Sequence, residues 1–87
     1  MRSAMAAKDD SDSYAREYAD TAGQQAAFFR EQAERHRREA ARARVTADMS
    51  QGEDRAAQTR RAEHLESLGR ADDTMAEAFE ARARGPN

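Results

Sequence analysis

Small residues recur down the first half of the chain at alternating steps of four and three. Ala15, Ala19, Ala22, Ala26, Phe29, Ala33, His36, Ala40, Ala43 and Ala47 all fall on this spacing, and none of the ten is Arg or Glu. A 3.5-residue repeat keeps such positions on one side of an α-helix, the spacing by which helices wind around one another. The second half carries a matching stripe of Ala62, Leu65, Gly69, Asp72, Ala76, Phe79 and Ala83, with Leu68 and Met75 beside it. Two stripes of one period predict two helices packed face to face. Methyl groups bury little area but allow the backbones to come close.

Breaks in the pattern set the boundaries. Residues 48–54 combine polar side chains with Gly52, and Ser50 stands three residues before Glu53, the spacing of a capping box at a helix start. Gly85 followed by Pro86 is a stop signal. The reading is therefore an all-α antiparallel hairpin with an Ala-rich, coiled-coil-like seam. A flexible tail spans residues 1–12, helices span 14–47 and 53–84 around a turn at 48–52, and a short tail spans 85–87. Ser11, Asp12 or Ser13 would cap the first helix by accepting a bond from a first-turn amide. A reversal near Met49 sets Phe29 opposite Gly69, Ala33 opposite Leu65, Ala22 opposite Ala76 and Ala19 opposite Phe79, so that large residues meet small ones. Asp72 does not suit an apolar seam, and the run from Gly69 to Asp73 offers a stop and a new cap, so a break near Gly69 is the alternative to one continuous second helix.

Composition changes this picture in one respect. Of 87 residues 21 are Ala, and the larger apolar side chains are four Met, three Phe, two Tyr, two Leu and one Val. A single hairpin of this composition buries too little area to offset the entropy of ordering about 70 residues. Self-association supplies the missing area. Tyr14, Tyr18, Phe28, Phe29, Leu65, Leu68, Met75 and Phe79 are the candidate protein-interface residues, and a homodimer completing a four-helix bundle is favoured, with a heterologous protein as the other partner.

Candidate chemistry adds little. Cys is absent, so there is neither a disulfide nor thiol chemistry. His36 and His64 lack the Glu-x-x-His and His-Glu-x-x-His spacings of helical metal sites. There is no Gly-rich phosphate loop. The expectation is a non-enzymatic adaptor, assembly factor or regulator that needs no cofactor, metal or membrane and works in the cytoplasm. Net charge is −2, yet Arg30, Arg35, Arg37, Arg38, Arg42 and Arg44 outnumber Glu31, Glu34 and Glu39 in the segment they share. Several guanidinium groups along a helix can follow a phosphate backbone, so a nucleic-acid-associated regulator is the alternative function.

Overall fold

The computed structural model of the chain describes residues 2–85, with side chains from Tyr14 onward. Ala, Arg, Glu and Gln dominate the sequence, and these residues lose little rotamer freedom in a helix. Two helices account for nearly all of the fold: α1, Arg2–Asp48, of 47 residues, and α2, Gly52–Ala83, of 32 residues. They pack antiparallel along a rod of 76 × 16 × 15 Å. The longer α1 extends beyond the end of α2.

The two stripes are the contact. Ala22, Ala26, Ala33, Ala40, Ala43 and Ala47 of α1 are buried against Ala62, Leu65, Gly69 and Ala76 of α2. Phe29, His36, Asp72, Phe79 and Ala83 are half-buried on the same lines, while Ala15 is exposed. Among the described residues, eight of the nine buried hydrophobic ones are Ala. The Phe29 and Phe79 rings stack at 5.8 Å between centroids, 9° from parallel, and Phe28 meets Phe29 edge-on at 5.3 Å. These rings and Leu65 supply most of the large apolar surface in the contact.

Several local expectations change. The helix runs back to Arg2, so residues 2–12 continue α1, and Ser11, Asp12 and Ser13 do not mark its start. The connection is shorter than expected and consists of residues 49–51. Ser50 does not cap α2: its hydroxyl donates to the Thr46 carbonyl at 2.7 Å, and no side chain caps the helix at Gln51. A cap of the opposite kind forms instead. Arg55, in the first turns of α2, donates to the Ala47 carbonyl at 3.0 Å and the Asp48 carbonyl at 3.3 Å. These carbonyls end α1 without helical partners and carry the negative end of its dipole, so a guanidinium is a fitting cap.

The helix α2 runs through Gly69 without a break. Gly69 is buried where the backbones approach, and a methyl there would lie 3.6 Å from the Ala33 carbonyl oxygen, an ordinary contact. The register also differs from the one expected. Gly69 faces Ala33, His36 and Arg37, and Phe29 meets Phe79 instead. Helical side chains lean toward their own N-terminus, so in an antiparallel pair each meets a residue further along its partner than a count from the turn suggests.

Gly52 and Gly85 hold the left-handed backbone angles that the two chain ends of α2 require, with φ of 59° and 81°. A Cβ in that region costs about 1–2 kcal/mol. Gly52→Ala is therefore expected to lower the melting temperature followed by circular dichroism. Gly23→Ala, in the interior of α1 with open space around it, is expected to stabilise by about 0.5–1 kcal/mol. Equal effects of the two substitutions would contradict this account of the turn.

Candidate functional site: an apolar edge of the hairpin

The seam divides the surface of the rod into two edges of different chemistry. Residues that follow a seam residue by one position lie on one edge: Arg30, Arg37 and Arg44 on α1, and Glu66, Asp73 and Glu80 on α2. Both sets repeat every seven residues, and they pair across the helices. Arg30 donates to Glu80 at 2.7 Å and to Asp73 at 2.9 Å, Arg37 to Asp73 at 2.9 Å, and Arg44 to Glu66 at 2.6 and 2.9 Å. Arg37 also reaches Glu34 on its own helix at 3.1 Å. Ion pairs this exposed are screened by water and add little to stability, so the ladder acts chiefly by favouring the register that sets base against acid.

The ladder lowers the pKa of two carboxyls, those of Glu66 and Glu80. Hydrogen bonds from Arg44, aided by its charge and opposed by desolvation, hold the Glu66 carboxyl below its ordinary value. Arg30 does the same for Glu80. A group whose value is lowered in the folded chain stabilises the fold above its unfolded value and loses that contribution as pH falls through the folded one. Hairpin stability is thus expected to fall as pH drops past the ordinary value of 4.5 and on through the lowered ones. Melting curves from pH 7 downward test this, because Glu66→Gln with Glu80→Gln should flatten the decline. An unchanged acid profile in that variant would refute the assignment.

Within the seam, Asp72 has found the partner its position demands. His36 Nδ1 donates to its carboxylate at 2.6 Å, with side-chain exposures of 21% and 16%. No buried side-chain polar atom among the described residues lacks a partner.

The opposite edge holds residues that precede a seam residue by one, together with their neighbours one turn away. On α1 these include Tyr14, Tyr18, Gln25, Phe28 and Gln32, and on α2 Leu68 and Met75. Tyr14, Phe28 and Met49 stand at multiples of seven from one another, as do Leu68 and Met75. Among the described residues, six of the seven exposed large hydrophobic side chains, Tyr14, Tyr18, Phe28, Met49, Leu68 and Met75, consequently share this edge, and Val45 lies elsewhere. Between residues 14 and 32 no charged side chain of α1 falls on it. Toward the turn it becomes basic: Arg42 and Arg61 line a shallow groove with Glu39, Thr46 and Gln58. Toward the open end, Ala15, Tyr18 and Ala19 form an apolar notch with Ala81, Arg82 and Gly85.

The residues expected to meet a partner therefore divide. Tyr14, Tyr18, Phe28, Leu68 and Met75 are exposed on the one edge, whereas Phe29, Leu65 and Phe79 turn inward and hold the hairpin together. The six arginines divide as well. Arg30, Arg37 and Arg44 are engaged by α2, and Arg35, Arg38 and Arg42 form no ion pair among the described residues. Among those residues no three metal-ligating side chains converge, and no helix is long and apolar enough to cross a membrane. Comparison with family models, with curated proteins and with solved structures finds no match to this chain.

Proposed function

We propose that the hairpin is a non-enzymatic protein–protein interaction module, a small cytoplasmic adaptor, assembly factor or regulator that binds through the edge on which its exposed apolar side chains gather. The observation that carries this reading is the gathering of six exposed large apolar side chains on the edge opposite the ion-pair ladder. Scattered apolar residues are normal on any surface, but Tyr14, Tyr18, Phe28, Leu68 and Met75 gathered on one edge, with Arg82, Arg42 and Arg61 toward its two ends, have the composition of an interface core with a polar rim. A photo-cross-linking amino acid placed at Leu68 or Met75 should label a bound protein in cells, and one at Ala41, beside the ladder, should not. Equal labelling from both edges, or none from either, would overturn the proposal.

A second reading rests on Arg35, Arg38 and Arg42, which form no ion pair among the described residues, Arg42 sharing a groove with Arg61 near the turn. These residues could follow a phosphate backbone, making the chain a nucleic-acid-associated regulator. Replacing the three with Gln should then abolish salt-dependent retention on nucleic acid. Retention equal to the parent's, at equal helicity, removes this reading.

A further inference from the structure

We infer that the occupant of the apolar edge is a helix of another protein, amphipathic and acidic along the borders of its apolar stripe. The inference rests on the reading of that edge as a docking surface, and it adds the chemistry of the partner.

Shape gives the first argument. The edge follows the groove between α1 and α2, with Tyr14, Tyr18 and Phe28 exposed on one wall and Leu68 and Met75 on the other. At 1.5 Å per residue from the turn, these side chains extend from about 25 Å at Leu68 to about 54 Å at Tyr14, a length that about 20 helical residues span. A helix laid there satisfies its own backbone hydrogen bonds, whereas an extended segment between two helices leaves its amides and carbonyls unpaired. Gln25 and Gln32 stand among the apolar side chains on the α1 wall. Lipid would strip their amides of hydrogen bonds and a protein can replace them, so the edge suits a polypeptide better than a membrane.

Charge gives the second, independent argument and selects the partner. Among the described residues, the seven-residue repeats of the two helices place Arg35, Arg42, Arg61 and Arg82 on this edge, with Glu39 and Asp54 as its acids. Four bases against two acids leave the edge at +2, in a chain whose net charge is −2. All four arginines are exposed, and none forms an ion pair among the described residues. Arg35, Arg42 and Arg61 stand about 12–22 Å from the turn, and Arg82 stands about 46 Å from it, beside Tyr18. Basic groups thus lie toward both ends of the apolar strip. A second copy of this chain sets arginine beside arginine in either orientation, whereas carboxylates bordering a partner's apolar stripe complement them. A nucleic-acid backbone complements the arginines but leaves Leu68 and Met75 without an apolar contact.

Fluorescence anisotropy with the full chain is the test, using two labelled helical peptides of about 20 residues that share one Leu stripe and carry either Glu or Lys along its borders. The acidic peptide should bind, at least about tenfold more tightly than the basic one, and its affinity should fall as salt is added. Arg35→Gln, Arg42→Gln and Arg61→Gln together should weaken it by about tenfold. Arg60→Gln, Arg70→Gln and Arg84→Gln, which remove the same charge away from the edge, should leave it unchanged. Leu68→Glu with Met75→Glu should abolish binding, and circular dichroism should show parental helicity in every variant. Equal affinity for the two peptides, or an equal loss in the two arginine triples, overturns the inference. So does tighter binding of a labelled oligonucleotide or of phosphatidylserine vesicles than of the acidic peptide, and so does a dimer in light scattering that the Leu68 and Met75 variant abolishes. If the basic peptide binds as well as the acidic one and loses its affinity in that variant, or if neither peptide binds while Leu68 still cross-links to a protein in cells, the inference falls and the docking reading stands. With neither peptide bound nor a cross-link, both fall.

Discussion

Phe29→Asp and Phe79→Asp are each expected to unfold the hairpin. Among the described residues eight of the nine buried hydrophobic ones are Ala, so the stacked rings and Leu65 carry a disproportionate share of the apolar area removed from water. Truncating a buried Phe costs about 3–5 kcal/mol, and the lower end applies to these half-buried rings. The introduced carboxylate adds to that cost, because it would be drawn out of water between the helices, and at 79 it would also lose the contact of the ring with the Arg82 guanidinium, 4.9 Å from its centroid. Small domains are held by about 5–15 kcal/mol, and one with this poor a core belongs near the bottom of that range. A single substitution therefore removes most of the margin. Thermal melts of both variants should start with helicity already reduced, whereas Val45→Asp, on the exposed outer face of α1, should melt like the parent. A Phe79→Asp variant within a few degrees of the parent would show that the aromatic pair does not hold the fold.

The second large effect concerns His36 and Asp72. Removing either partner alone leaves the other partly buried without its hydrogen bond, at a cost of about 1–3 kcal/mol. Removing both is different, since a buried polar pair replaced by apolar residues of similar size is often neutral or stabilising. Asp72→Ala and His36→Ala should each lower the melting temperature by several degrees. The double variant His36→Leu with Asp72→Leu should recover most of that loss. What the double variant should lose is uniqueness. With no polar pair on the seam, an Ala stripe can slide by one heptad and still bury methyl groups, so alternative registers and mixed association states are expected. Cross-linking of cysteines introduced at 33 and 69, which face one another in the observed register, would report such slippage as a reduced yield of the matched disulfide. A double variant less stable than either single one would contradict this reading of the pair.

Much of this architecture is visible in single residues of the sequence. The spacing of Ala22, Ala26, Ala33, Ala40, Ala43 and Ala47 already names the buried line of α1, and Ala62, Leu65, Gly69 and Ala76 name that of α2. The reason is that a helix has a fixed period, so a run of small residues at 3.5-residue spacing can occupy only one face. Gly85 likewise announces the end of α2, because its left-handed conformation suits a residue without a Cβ.

Other features depended on relations between the helices. Ser50 has the spacing of a cap for Glu53, but its hydroxyl returns to Thr46, and Arg55 reaches the end of α1 from across the turn. Asp72 reads as a misfit in one strand of sequence and is matched only by His36, 36 positions away. Gly69 reads as a helix stop, yet packing against Ala33 carries α2 through it. The candidate site was half legible for the same reason. Tyr14, Tyr18, Phe28, Leu68 and Met75 stand out as apolar residues beside the seam, but nothing local separates them from Phe29, Leu65 and Phe79, which the second helix covers. Nor does the sequence separate Arg30, Arg37 and Arg44 from Arg35, Arg38 and Arg42 until acids on α2 engage the first three.

The sequence by itself determined that this protein forms two helices and which line of each faces inward, because helical periodicity is a property of one chain segment. Only the tertiary structure decided the register, the division of the arginines and the apolar edge. These depend on the turn and on the lean of side chains across the contact, which set the residue each one meets.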